Sequence, residues 1–319
     1  MVGVVAVVLW FVLPVEQMMP SFSTPDYGLW KDIPQYLQEG YFSLGISLSC
    51  AALAVYLMAE LNNANVLLRV SSRMLSSMLA FLLTIVIVGH RFQPGSVVMI
   101  LSLLSFFPLF STYQLPSPLL SFTSHLLVSV ASLVFPKLLW LVPVYWLIQG
   151  YFRAFSLRCL LASLLAVLLP YWFYGGIALV TDSWGDFLTH VCMVADVQWH
   201  DYAALDLRHV VTFAFLALLF VSGAVDFYVN QFLDKTRTRI IYNAIILYGL
   251  SIVLFILLQP QYLETLLPLL LMSTAMVFGH FFTLTHTRFS HIYCIVLLVM
   301  AAVVLAVQCV CDAHLMLRW

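Results

Sequence analysis

Residues 125–150 read HLLVSVASLVFPKLLWLVPVYWLIQG and decide the fold class of this chain. Two apolar runs flank a Phe-Pro turn, and Lys137 is the one charged side chain in the stretch. The proline ends the first run as a helix, because the residue before a proline is pushed out of the α region. Neither run alternates in the way that a membrane β-strand requires. The pattern, which recurs along the chain, predicts an all-α, polytopic transmembrane helix bundle.

The composition of the whole chain is that of an integral membrane protein. Of its 319 residues, 63% are hydrophobic and 8% are charged, and the mean hydropathy is +1.03. Ordinary soluble domains carry about 25% charged residues, so this composition excludes a soluble protein. The net charge of −1 leaves no basic footprint for nucleic acid. We expect one integral membrane domain over residues 1–319, surrounded by membrane lipids and with no nucleic-acid partner.

About eleven apolar segments, within limits of nine and twelve, are predicted to span the membrane. A crossing of about 30 Å takes roughly 20 residues. The first run is shorter and lacks the positive charge of a signal peptide; it is either a short span or the end of a longer one. The turn at 135–137 joins two spans or tips a re-entrant hairpin. The predicted spans are 2–13, 42–61, 74–89, 96–113, 118–134, 138–150, 157–180, 210–230, 240–258, 263–285 and 292–311.

Charges in the connections predict the orientation. Residues 15–40 and 181–209 are rich in acids and are predicted to form the first and second outer, periplasmic loops. Short connections with an excess of Lys and Arg face the cytoplasm, which places the N-terminus there as well. The residues on that side are Arg69, Arg73, Arg153, Arg158, Lys235, Arg237, Arg239 and Arg288.

The second outer loop concentrates residue types that bind metals. Its acids and histidines are Asp182, Asp186, His190, Asp196, His200, Asp201, Asp206 and His209. Trp184 and Trp199 are typical of a membrane interface, which favours a solvated interfacial loop over a metal site. His280, His286 and His291 lack the spacing of a zinc pair and are expected at the cytoplasmic interface. The six cysteines form no C-x-x-C pair. We predict no metal and no cofactor.

Charged side chains beside apolar segments are a stronger functional signal, since each costs a few kcal/mol in lipid unless it is paired or hydrated. Lys137 is predicted at an outer bend, where a fixed positive charge favours a phosphate or pyrophosphate. The alternative is a long amine that snorkels to the interface. The whole set is Glu60, Arg91, Lys137, Asp226 and Glu264.

The middle of the chain resembles a family of polytopic inner-membrane proteins of Bacteroidota. The resemblance covers about residues 40–180. It is carried by residues 125–174, from HLLV to YWFY, by FFPLFSTYQ at 106–114, and by the Asn62-Asn63 turn. It implies a multi-pass protein of a bacterial inner membrane.

The layout is also similar to the GT-C superfamily of membrane glycosyltransferases, which use polyprenyl-phosphate-linked sugars. In that superfamily the first outer loop carries acidic catalytic residues, and a later turn lies near the lipid phosphate. The resemblance implies a catalytic role for Glu16, Asp26 or Asp32, and lipid-phosphate binding by Lys137 with Arg91. The first loop here has no adjacent acidic pair, and there is no soluble outer domain at the C-terminus, in both of which it departs from the superfamily.

Three functions remain open at this point. The first is a GT-C-like glycosyltransferase of the cell envelope, in which a loop carboxylate acts as general base and the cations stabilise the departing lipid phosphate. The second is a transporter or flippase for an envelope lipid or small solute, for which paired broken helices would be the sign. The third is a non-catalytic assembly subunit that binds other membrane proteins.

Overall fold

The fold is all-α, as predicted. A computed structural model describes residues 30, 40–68, 72–86, 92–197, 207–284 and 296–307. These residues form eleven α-helices. In chain order the helices are α1 Gly40–Asn65, α2 Met74–Ile85, α3 Pro94–Ser111, α4 Pro118–Val134, α5 Val142–Tyr151, α6 Leu157–Val180, α7 Trp184–Ala195, α8 Leu207–Asn230, α9 Thr236–Leu258, α10 Leu263–Leu284 and α11 Val296–Val307.

Local sequence sets several of these limits. Pro94 and Pro118 lie in the first turns of α3 and α4, where the missing N–H has no helical partner to lose. Ser117 caps α4 by accepting a hydrogen bond from the backbone N–H of Leu120, and Ser156 caps α6 in the same way. Short 3-10 helices at Pro136–Leu141, Gln231–Leu233 and Pro260–Tyr262 make three of the connections.

Six helices are long and apolar enough to cross a membrane: α1, α3, α6, α8, α9 and α10. The chain is therefore a multi-pass membrane protein. The apolar helices α2, α4 and α11 are shorter, and a 12-residue helix such as α2 is only about 18 Å long. Among the described residues, six helices are thus long enough to span a membrane, compared with about eleven predicted spans. The span predicted at 2–13 lies outside the described residues.

Two connections differ from a simple loop. The second outer loop, predicted at 181–209, contains the amphipathic helix α7, which packs on α6 and on the 3-10 turn Pro136–Leu141. The 3-10 turn and α5 run alongside α9. Lys137 is hydrogen-bonded to Gln259 at one end of α9, and Tyr151 is hydrogen-bonded to Asn243 nearer its other end. Only the second arm of the predicted hairpin, the 3-10 turn with α5, therefore lies along α9, whereas α4 packs against α3 and α6.

Helix α10 forms the centre of the bundle. Nearly all of its residues are buried, and it packs against α2, α3, α8 and α9. At its crossing with α8, a Cβ atom on Gly223 would lie 3.1 Å from the Cα atom of Phe278. The backbones approach this closely only because Gly223 has no side chain. Helix α6 is at the periphery, with most of its surface exposed, and it packs on the serine-rich face of α4.

Contacts between the connections define two ends of the bundle. At the first, which we call the basic end, Arg237 at the start of α9 bonds Asn65 at the end of α1, and Gln114 bonds the backbone of Phe152. The Lys and Arg residues that were predicted on the cytoplasmic side, and that the structure describes, lie in or beside the connections at this end. At the second, which we call the opposite end, lie Lys137, Gln259 and the start of α10.

Candidate functional site

Lys137 is buried at the opposite end and holds three elements together. Its ammonium donates hydrogen bonds to the backbone carbonyl of Asp196 (2.5 Å) and to Oε1 of Gln259 (2.7 Å). It also lies 4.4 Å from the centre of the Tyr262 ring. Only 2% of the side chain is exposed. The lysine therefore joins the α4–α5 hairpin, the end of α7 and the α9–α10 connection.

The backbone around Pro136 aims Lys137 at the C-terminus of α7. Phe135 is extended before the proline, and the 3-10 turn that follows brings Lys137 and Trp140 to the same neighbour. The indole N–H of Trp140 donates to the carbonyl of Val194 (2.9 Å). The last carbonyls of a helix have no partner within it and carry partial negative charge, so these two donors stabilise the end of α7.

This geometry bears on the predicted role of Lys137 as a phosphate ligand. Burial lowers the pKa of the ammonium, and the charge of Asp196 opposes that shift. The amine does not snorkel to water, because its donors are directed at protein groups. In the observed arrangement a phosphate reaches the lysine only if the end of α7 moves away.

A second polar group at the opposite end joins the first turns of α8 and α10. Nε2 of His209 lies 3.0 Å from Oε1 of Glu264, and Arg208 beside it is buried. Glu264 is in the first turn of α10, where the helix dipole favours a carboxylate. The sequence marked Glu264 as a charge beside an apolar segment, but its partner is 55 residues away and no local spacing reveals it.

Two further segments meet at this end. A Cβ atom on Gly95 would lie 2.9 Å from the carbonyl oxygen of Thr265, so α3 begins directly against the first turn of α10. Just before α3, the ring of Phe92 lies 5.0 Å from that of Trp30 in the first outer loop. The start of α10 thus has the connection that follows Arg91 as its neighbour, and that connection contacts Trp30, the one described residue between 15 and 39 in the predicted first outer loop.

The structure places one of the five predicted site residues. Lys137 is described, whereas Glu16, Asp26, Asp32 and Arg91 lie outside the described residues. Trp30 lies within six residues of Asp26 and Asp32 in the sequence, and Phe92 follows Arg91 directly. The roles predicted for the three acids and for Arg91 stay predictions.

At the basic end, a carboxylate and an imidazole pair inside the protein. Nε2 of His280 in α10 lies 3.1 Å from Oδ2 of Asp234, and both side chains are buried. The Tyr242 and Phe227 rings pack against the imidazole. His280 was expected at the interface, and instead it lies within the helix packing. His286 and His291 are outside the described residues.

Metal ligands are not grouped in the part of the chain that the structure describes. No set of three or more His, Cys, Asp or Glu side chains there is placed to hold an ion. In α7, His190 is buried against Tyr171 and Tyr174 of α6, while Asp186 is exposed. His200, Asp201 and Asp206 of the second outer loop fall outside the described residues.

Comparisons with protein-family models, with curated proteins and with solved structures found no match to this chain.

Proposed function

We propose that this chain is a multi-pass protein of a bacterial inner membrane that acts at its opposite end on a polyprenyl-phosphate-linked sugar, as a GT-C-like glycosyltransferase of the cell envelope. One observation carries the proposal: the His209–Glu264 pair, with Arg208 beside it, lies where α3, α8 and α10 begin together. Phe92, which follows Arg91, lies just before α3 at this place, and its ring packs against Trp30 of the predicted first outer loop.

Several helix N-termini at one place favour an anionic group. The first N–H groups of a helix have no partner within it and carry partial positive charge. The starts of α3, α8 and α10 supply three such ends, and Arg208 adds a full charge. A lipid phosphate at the membrane surface has the complementary charge. Glu264 is partly exposed here, and His209 and the first turn of α10 stabilise its charge.

The proposed reaction divides its tasks between the loop acids and the cations. A carboxylate of Glu16, Asp26 or Asp32 accepts the proton of the acceptor hydroxyl, while the oxygen of that hydroxyl attacks the anomeric carbon of the sugar. The bond from that carbon to the phosphate oxygen breaks, and the polyprenyl phosphate leaves with the electron pair. Arg91 stabilises the leaving phosphate. Lys137 joins it only after the end of α7 has moved, because its donors otherwise bind Asp196 and Gln259.

The proposal includes an orientation of the chain in the membrane. Short connections rich in Lys and Arg remain on the cytoplasmic side, so the basic end faces the cytoplasm and the opposite end faces the periplasm. The N-terminus is then cytoplasmic. Membrane lipids are the immediate surroundings, and other membrane proteins of the envelope are further partners in this proposal.

The test is a gene deletion followed by mass spectrometry of lipid-linked glycans and surface polysaccharide. The deletion strain is complemented with wild type and with Glu16→Gln, Asp26→Asn, Asp32→Asn and Arg91→Gln. Asp182→Asn is the matched control, because Asp182 is an exposed acid just after α6 and has no role in the proposed reaction. Each variant is checked for stable membrane insertion by immunoblot.

We expect one glycan species to disappear in the deletion strain and to return with wild type and with the Asp182 control. Arg91→Gln and at least one of the three acid variants should fail to restore it, and the polyprenyl-phosphate-linked sugar should accumulate because its sugar is not transferred. An unchanged glycan profile in the deletion strain would overturn the proposal and favour a transporter or an assembly subunit. Full rescue by every variant would show that none of the substituted residues has the catalytic or phosphate-binding role proposed for it.

A further inference from the structure

The connection between α8 and α9 presents an exposed surface that combines apolar and cationic side chains. Phe232 and Leu233 in the 3-10 turn Gln231–Leu233 are 71% and 54% exposed. Lys235 and Arg237 follow as exposed cations, and Arg239 is partly exposed one turn into α9. We call these five residues the basic-end patch. They lie where one membrane-spanning helix ends and the next begins its first turn.

The one acid within this segment does not neutralise the patch. Asp234 stands between Leu233 and Lys235, but its carboxylate points inward to His280 at 3.1 Å and is fully buried. The carboxylate is thereby withdrawn from the cations on either side of it. Three positive charges within five residues are left facing the surroundings.

The cations of the patch bond neutral groups. Arg237 donates to Oδ1 of Asn65 (3.2 Å), and Arg239 donates to the hydroxyl of Thr236 (3.4 Å). Among the described residues, no carboxylate lies within ion-pair distance of Lys235, Arg237 or Arg239. Their charge is available to an external anion.

The positive surface continues onto the neighbouring connection. Tyr151 at the end of α5 accepts a hydrogen bond from Asn243 of α9 (2.9 Å), which brings the turn after α5 beside the start of α9. Arg153 in that turn is exposed, as is Arg158 in the first turn of α6. Exposed apolar side chains accompany these cations too, with Phe155 at 47% and Leu157 at 71%.

We propose that the basic-end patch binds the headgroups of anionic phospholipids in the leaflet that it faces. Phe232 and Leu233 lie among the first carbons of the acyl chains, and Lys235, Arg237 and Arg239 bind the phosphates above them. Charge complementarity selects lipid with a net negative headgroup over zwitterionic lipid. This binding does not depend on the proposed glycosyltransferase activity, which is assigned to the other end of the molecule.

The test is native mass spectrometry of the purified full chain released from nanodiscs of equal parts phosphatidylglycerol and phosphatidylcholine. A basic side chain near an anionic surface strengthens binding about fivefold, and salt weakens this effect. We expect wild type to retain phosphatidylglycerol over phosphatidylcholine by roughly tenfold, and the triple variant K235Q/R237Q/R239Q to lose most of that preference. The variant K235R/R237K/R239K keeps the charges and should keep the preference.

A second variant separates the apolar part. Phe232→Ser combined with Leu233→Ser should lower total lipid retention while leaving the ratio of the two lipids near that of wild type. Size-exclusion profiles and far-UV circular dichroism verify that each variant is folded. Equal retention of both lipids by wild type would overturn the proposal, as would a triple variant that selects phosphatidylglycerol as well as wild type does.

Discussion

The position of Lys137 is decided by groups far away in the chain. Its partners Asp196 and Gln259 are 59 and 122 residues distant. A sequence pattern shows that a lysine in an apolar stretch must find a partner, because an unpaired charge in lipid is costly. It does not show whether that partner is a phosphate or a protein carbonyl, and here the protein itself supplies the acceptors.

Replacing Lys137 tests this assignment. Lys137→Met removes the donor and leaves the Gln259 amide and the Asp196 carbonyl without it, so we expect the free energy of unfolding to fall by about 1.5–3 kcal/mol, the usual value for hydrogen bonds from a charged group. Reversible unfolding in mixed micelles measures the change. Lys235→Met is the control, because that lysine is exposed and its removal should alter stability little. Equal stability of the two variants would show that the buried hydrogen bonds contribute nothing.

Helix limits were predictable where a local signal marks them. The predicted limits of α4 and α6 coincide with the observed ones, because capping serines and a proline stand at their starts. Helix α7 was missed, since its apolar residues Trp184, Leu188 and Val191 are spaced along one face and form no continuous run. The prediction that residues 181–209 lie outside the membrane-spanning segments is compatible with a helix this short. Its amphipathic face is typical of an interfacial helix.

Docking of α7 should depend on pH. Burial lowers the pKa of His190 to about 4. An undocked histidine has a pKa near 6.5, so the undocked helix binds more protons between pH 6.5 and 4. Docking is therefore at full strength above about pH 6.5 and weakens as the pH falls through that window. A spin label on the exposed Cys192, with the other five cysteines replaced, should gain mobility over this range.

His190→Gln is the control for that experiment, because its amide does not titrate. The label on this variant should show no pH response between 6.5 and 4. A response as large as that of wild type would assign the effect to another group.

The crossing of α8 and α10 should not tolerate a methyl group. A Cβ atom on Gly223 meets the backbone of Phe278 and Val277, which cannot move without shifting the central helix. We expect Gly223→Ala to lower the free energy of unfolding by about 1–3 kcal/mol. Gly176→Ala on α6 is matched to it, since nothing lies within 4 Å of its Cβ position, and helix propensity predicts a neutral or slightly stabilising effect. Similar stability changes in both variants would contradict the close packing.

On the scale of the whole molecule, the class of protein follows from composition, whereas the site does not. A chain with 8% charged residues has to be surrounded by lipid, and apolar runs in lipid have to be helical. Which helix becomes the centre is a matter of long-range packing, and no run distinguishes α10 from the others beforehand. The pairs His209–Glu264 and Asp234–His280 both depend on that central position, so neither was visible in the sequence.

The two ends of the bundle should be separated by the membrane. Single cysteines are introduced into a chain whose six native cysteines are replaced by serine: Phe155→Cys and Lys235→Cys at the basic end, Asp182→Cys and Val197→Cys at the opposite end. All four positions are exposed. If the basic end is cytoplasmic, as the distribution of Lys and Arg indicates, an impermeant maleimide labels Asp182→Cys and Val197→Cys in intact spheroplasts. Phe155→Cys and Lys235→Cys then react only after lysis.

The reverse pattern would invert the orientation and place the His209–Glu264 end in the cytoplasm, where the proposed periplasmic transfer of a sugar does not occur. Labelling of one position from each end on the same side would contradict the two-ended arrangement itself.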